Sequence, residues 1–109
     1  AYPSRIKNNF ERFDFLKYPQ LTFEKADTGA FRNLSLAFEA LHQGGNMPCV
    51  LNAANEIAVQ AFLEDKIGFL EMSDLVQKTM AQIGYIKTPD YSQYVESDRE
   101  ARALSASLL

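Results

Sequence analysis

The spacing of the apolar residues changes character at residue 27, and that change limits the fold. Residues 1–26, AYPSRIKNNFERFDFLKYPQLTFEKA, hold Pro3 and Pro19 and show no apolar stripe at helical spacing. Each proline pushes the residue before it toward extended geometry. Leu21, Thr22 and Phe23 alternate like a very short strand. Phe10, Phe13, Phe15, Leu16 and Tyr18 make the stretch too aromatic for a solvated linker. It reads as an extended arm that lies on something.

From residue 27 the signals are helical. DTGAFRNLSLAFEALHQGG (27–45) opens with Asp27 and Thr28, either a candidate cap, and stops at Gly44-Gly45. Phe31, Leu34, Phe38 and Leu41 form one stripe at i, i+3, i+7, i+10. MPCVLNAANEIAVQAFLEDKIG (47–68) places Pro48 in a first turn, where its missing N–H costs nothing. EMSDLVQKTMAQIG (71–84) lines up Met72, Leu75, Val76, Thr79, Met80 and Ile83. ESDREARALSASLL (96–109) opens on a capping-box pattern, Ser97 to Glu100, and aligns Ala101, Leu104 and Leu108. Between the last two, YIKTPDYSQYV (85–95) reads as an irregular connection packed by its tyrosines. The expected architecture is all-α: a small bundle of about four helices over 27–109, preceded by the arm at 1–26.

At 109 residues the chain is one domain's worth, and 47% hydrophobic residues suffice for a core. A net charge of -3, with basic residues scattered, argues against nucleic acid or an anionic membrane as partner. No apolar run approaches the roughly 18 residues of a bilayer span. AYPSRIKNNF lacks the apolar core of a signal peptide. A single cysteine fits a reducing compartment. The first residue, Ala1, fits either initiator removal or a chain that begins inside a longer protein.

His42 is the only histidine. It falls in a last helical turn, where the dipole favours a cation, and no second His or Cys stands at ligand spacing. Cys49 follows Pro48 at a helix start, a place that can lower a thiol pKa. A nucleophilic cysteine also wants a histidine base, so a small core residue suits it better. The Gly44-Gly45 pair follows a helix and lacks a phosphate-binding pattern.

That leaves Asn52, Asn55 and Glu56. With Val59 and Leu63 they form one helical face; Val50, Ala54, Ile57, Ala58 and Ala61 form another. A catalytic use would make Glu56 a base or metal ligand, with the amides orienting substrate. The structural alternative is a hydrogen-bonded polar seam that ties down adjoining chain, such as the aromatic arm. No second acid, His or Lys close in sequence completes a mechanism, which favours the seam.

LTFEKAD at 21–27, LAFEALHQGG at 36–45 and LNAANEIAVQAFLEDKIGFLEMSDLV at 51–76 closely resemble the C-terminal part of the 1-deoxy-D-xylulose 5-phosphate reductoisomerase family. AYPSR and FDFLKYPQLTF resemble the linker that leads into it; beyond residue 84 the likeness is one of outline. The resemblance implies a parent enzyme of the non-mevalonate isoprenoid pathway. That enzyme isomerises its substrate and reduces the product with NADPH to 2-C-methyl-D-erythritol 4-phosphate, using Mg²⁺ or Mn²⁺. It implies a dinucleotide-binding domain and a catalytic domain upstream, a cytoplasmic bacterial setting and a homodimeric parent. It also implies that the cofactor turn, metal ligands and substrate-binding residues all precede this segment, so that no catalytic, cofactor or metal residue lies here. A free-standing helical interaction module, docking through the Asn52/Asn55/Glu56 face, is the other expectation. A small enzyme using Glu56 and Cys49 is a weaker third.

Overall fold

The computed structural model describes residues 2–109. Among them lie four helices and no strand: α1 (Arg32–Gln43), α2 (Met47–Leu63), α3 (Phe69–Gln82) and α4 (Tyr91–Ser107). The all-α expectation is met. α2 is the central element and packs against each of the other three. Its inward face is built from Val50, Ala53, Ala54, Ala58 and Ala61, all buried. Alanines let neighbouring helices approach closely, and the larger side chains come from across the interface. α3 supplies Met72, Leu75, Val76 and Met80 at the expected spacing. α4 contributes the fully buried Ala101.

α1 corrects the expected pattern. Phe31, Leu34, Phe38 and Leu41 do not enter the core; Leu41 is 68% exposed and Phe38 50%. The buried pair is Leu36 and Ala40, one turn apart on a different face. α1 therefore has two apolar faces, and the narrower one meets the bundle. Its start is also later than Asp27. The Asp27 carboxylate accepts the N–H groups of Gly29 and Ala30 at 2.9 and 3.0 Å, and the Asp27 carbonyl accepts Phe31 N–H. Asp27 thus closes a turn before the helix and is spent there.

α4 starts earlier than expected. Asp90 caps it, accepting Gln93 N–H at 2.8 Å, while the Gln93 side chain accepts Asp90 N–H at 2.9 Å. This capping box displaces the one expected at Ser97–Glu100. Tyr91 to Val95 are accordingly helical rather than irregular, and Ser97 is a buried mid-helix residue. At α3 the Glu71 carboxylate reaches back to Gly68 N–H at 2.6 Å, closing the first turn.

The two ends of the bundle's connections are joined by Asn46. The residue is fully buried. Its Nδ2 donates to the Gly84 carbonyl at 2.9 Å and to Ser97 Oγ at 3.0 Å. Its Oδ1 accepts Ile86 N–H at 2.8 Å, and its own N–H donates to the Ile86 carbonyl at 3.1 Å. The α1–α2 turn is thereby fastened to the α3–α4 connection. Gly45 makes the approach possible: its φ is +57°, and a Cβ there would sit 2.1 Å from the Ile86 carbonyl oxygen. A second buried polar pair, Thr79 Oγ1 and Ser105 Oγ at 2.9 Å, joins α3 to α4.

The arm stands away from the bundle. Every described residue before Asn33 is exposed, and the Cα radius of gyration is 18.6 Å, against about 13 Å for a compact domain of this size. Leu21 to Phe23 form no strand. The arm's own order is local: Asp14 Oδ1 accepts Leu16 N–H at 2.8 Å, and Phe13 packs edge-on against Phe15 and stacks on Tyr18.

Asn46→Ala leaves the Ile86 N–H, the Gly84 carbonyl and the buried Ser97 hydroxyl without their partner. It lowers unfolding free energy by about 2–4 kcal/mol, measured by urea denaturation. For the Thr79–Ser105 pair, Thr79→Val and Ser105→Ala each cost about 1 kcal/mol singly. The double variant recovers most of that loss, because both polar partners are then gone.

Candidate functional site

α2 turns its outward side to Asn52, Asn55 and Glu56, which the sequence singled out. Asn52 and Glu56 are exposed, and Asn55 is half-buried. Asn52 Nδ2 donates to Glu56 Oε1 at 3.2 Å, one helical turn on. Glu56 Oε2 accepts from the Arg102 guanidinium of α4 at 2.8 Å, and Arg102 Nε donates to Asp98 Oδ2 at 2.8 Å. The array is Asn52–Glu56–Arg102–Asp98, an open charged clamp between α2 and α4. Its partner is α4, not the aromatic arm, which corrects the expected tie. Sequence reasoning missed Arg102 because it lies 46 residues from Glu56; its placement depends on how α4 packs. Asn55 makes no bond in this array; it borders both a cavity lined by Glu56 and Arg102 and one of about 220 Å³ shared with Asn33, Ala37, Leu51 and Val76.

Arg102 governs the electrostatics of this face. Its hydrogen bond and then its charge hold the Glu56 carboxyl below the ordinary carboxylate range, with the Asn52 amide adding to both. The carboxylates in turn raise the Arg102 pKa. Both acids thus share one cation already in contact, which leaves the cluster one negative charge in excess. A general base poised near neutrality needs the opposite shift.

Cys49 is half-buried, with Sγ 3.6 Å from the Tyr94 carbonyl. Burial pushes its thiol pKa up, and the nearby Asp98 adds to this against the pull of Arg102. The helix start does not activate it as a nucleophile. His42 is exposed in the last turn of α1. Among the described residues no three His, Cys, Asp or Glu side chains cluster so as to hold a metal ion. Gly44-Gly45 leads from one helix into the next, not from a strand into a helix. These residues do not fit a divalent metal or a dinucleotide. No helix is long and apolar enough to cross a membrane among the described residues.

A larger concavity lies elsewhere, between the turn at Gly29–Ala30, the start of α1 and the start of α3. It encloses about 600 Å³ and is bordered by Phe31, Leu34, Phe69 and Leu70. Arg32 bridges its rim, with its guanidinium 2.8 Å from Asp74 and also bonded to Gln77.

The chain is thus a four-helix domain with an ion-paired clamp between α2 and α4 and an apolar groove between α1 and α3. Comparison with known proteins gives the family. The DXP reductoisomerase C-terminal domain matches residues 1–104, and the chain belongs to that family. Over all 109 residues it is 57% identical to the 1-deoxy-D-xylulose 5-phosphate reductoisomerase of Phocaeicola vulgatus, of which it spans 28%. It is 52% identical to that of Bacteroides fragilis, again spanning 28%. The solved structure of the Zymomonas mobilis enzyme, in complex with NADPH, superposes with a TM-score of 0.82 at 43% identity. That match covers 99% of this chain and 29% of the other. The chain therefore spans under a third of the length of these relatives.

The pH dependence of the clamp has a definite sign. A carboxyl whose pKa is depressed on folding contributes stability that is present above its unfolded value and lost as pH falls through the folded value. Wild type should therefore lose its Glu56 contribution as pH falls below the ordinary carboxylate value and through the depressed folded one, whereas Glu56→Gln has none to lose. The gap between their urea midpoints narrows over that window. It is small throughout, because the pair is exposed and salt-screened.

Proposed function

We propose that this chain serves as the non-catalytic C-terminal domain of a longer NADPH-dependent 1-deoxy-D-xylulose 5-phosphate reductoisomerase. Such an enzyme makes 2-C-methyl-D-erythritol 4-phosphate in non-mevalonate isoprenoid biosynthesis. The observation that carries this is the combination of a family match across nearly the whole chain with a span of only 28% of the relatives. In this reading residues 1–26 are the linker and residues 27–109 the bundle. The partners are the catalytic and dinucleotide-binding domains of the same polypeptide, which hold NADPH and Mg²⁺ or Mn²⁺. The assembled parent is a cytoplasmic homodimer.

The bundle's contribution is mechanical: it braces the catalytic domain through the linker. Asn52, Asn55 and Glu56 serve structure. Glu56 and Asn52 act through Arg102 to set the angle between α2 and α4. The prolines and aromatic residues of the arm suit a segment sandwiched between domains, since such side chains are costly to leave in water.

The purified 109-residue chain, given 1-deoxy-D-xylulose 5-phosphate, NADPH and Mg²⁺, should not oxidise NADPH. The polypeptide encoded by the reading frame extended upstream of residue 1 should do so under the same conditions. Turnover by the short chain, or a start codon at residue 1 with no upstream frame, overturns the proposal. The second outcome favours a free-standing helical interaction module.

A further inference from the structure

We propose that the bundle is a folding unit complete in itself and that the arm before it is a protease site. Hydrolysis of the arm by a trypsin-type endoprotease releases the bundle with its fold and stability intact. This architecture belongs to the 109 residues themselves and does not depend on the reaction assigned to the longer polypeptide.

An endoprotease binds its substrate as an extended strand, through main-chain hydrogen bonds. It therefore needs backbone that is both exposed and uncommitted. Residues 19–26 meet both conditions. All are exposed, none lies in a helix or strand, and among the described residues they make no hydrogen bond. The last bond before them is Tyr18 N–H to the Asp14 carbonyl, at 3.0 Å. The next is in the turn that Asp27 closes. Lys25 stands inside this free stretch, and Arg5, Lys7 and Arg12 are exposed upstream. At Lys25 the step adds water across the Lys25–Ala26 peptide bond, leaving a carboxylate on Lys25 and an amine on Ala26.

The basic residues of the bundle are held instead. Arg32, Lys78, Arg99 and Arg102 lie in helices, and Arg32 is also engaged by Asp74 and Gln77. Lys66 N–H donates to the Ala61 carbonyl at 2.9 Å. Lys87 follows Ile86, whose N–H and carbonyl are both bound by Asn46. Cutting at these residues requires the fold to open first. Removing the arm, by contrast, takes nothing from the core. The buried apolar cluster runs from Leu36 to Ala101. The buried polar ties join residues 46, 84, 86 and 97, and residues 79 and 105. Among the described residues, no hydrogen bond or ion pair joins the chain before Asp27 to a helix.

The test digests the 109-residue chain with a low level of trypsin and follows the products by mass over time. Cuts in the arm should run about tenfold or more faster than cuts at any bundle residue. The surviving fragment should begin at Tyr18 or Ala26 and end at Leu109. Once isolated, it should keep the helical circular dichroism and the urea midpoint of the whole chain. Asn46→Ala, or the milder Thr79→Val, should speed cutting inside the bundle and leave cutting in the arm unchanged, since only the bundle sites wait on opening. Bundle sites cut as fast as the arm overturn the proposal, as does a fragment with a lower or broader urea transition. Arm and bundle sites that quicken together in either variant make the chain one folding unit and overturn it. An arm that resists trypsin in wild type is packed on its own bundle or on a second copy, which overturns it as well.

Discussion

Asn46 joins parts of the chain that have no other reason to meet. The turn between α1 and α2 and the connection between α3 and α4 are both irregular, so each carries backbone groups that no helix satisfies. The Asn46 side chain answers a carbonyl, an N–H and a hydroxyl from residues 84, 86 and 97. An amide is suited to this because it offers donor and acceptor on one planar group. An apolar residue of similar size would leave three polar partners unanswered, the buried Ser97 hydroxyl among them. The interaction also fixes the register of α4: Ser97 must face Asn46, which turns Ala101 and Ser105 inward one and two turns later. With Ser105 inward, Thr79 of α3 finds its partner.

This explains why α4 was the hardest helix to read. Its buried positions are Ser97, Ala101 and Ser105, two of them polar. A search for large apolar residues instead selects Leu104 and Leu108, which are half-buried and exposed. Its true start was legible in principle, since Asp90 and Gln93 stand at capping-box spacing after Pro89. Ser97–Glu100 offered the same pattern, and local sequence does not rank two capping boxes seven residues apart. α3 was legible because its buried residues are large, apolar and evenly spaced. The start of α2 was legible from Pro48, but it ends at Leu63, earlier than the stop near Lys66–Gly68 that the glycine suggests, because Gly68 caps α3.

The candidate polar site shows the same division. The spacing of Asn52 and Glu56 correctly put them on one face of α2. What it did not contain was the partner, because Arg102 is brought near only by the packing of α4. Asn46 went unnoticed because it precedes the helix and sits beside glycines, where an asparagine ordinarily signals a turn. Its role depends on Gly45 permitting the chain to approach Ile86, and that is visible only once residues 45 and 86 are adjacent.

The misassigned stripe of α1 is the most informative difference. Helical periodicity identifies an apolar face, but not what the face packs against. In α1 the stronger periodic signal belongs to Phe31, Leu34, Phe38 and Leu41, yet the bundle is closed by Leu36 and Ala40. Closing it with the small face leaves the large side chains facing outward, next to a groove that α3 helps to wall. A domain that folded for itself alone would place its phenylalanines inward, since burying each is worth roughly 1.5–3 kcal/mol. Leaving them outward makes physical sense when their burial is completed by chain that lies beyond the bundle. The aromatic arm repeats the logic at lower order: Phe13, Phe15 and Tyr18 pack on one another while their outer surfaces remain open. Bundle and arm thus both expose apolar surface, whereas the face shared by α2 and α4 is ion-paired.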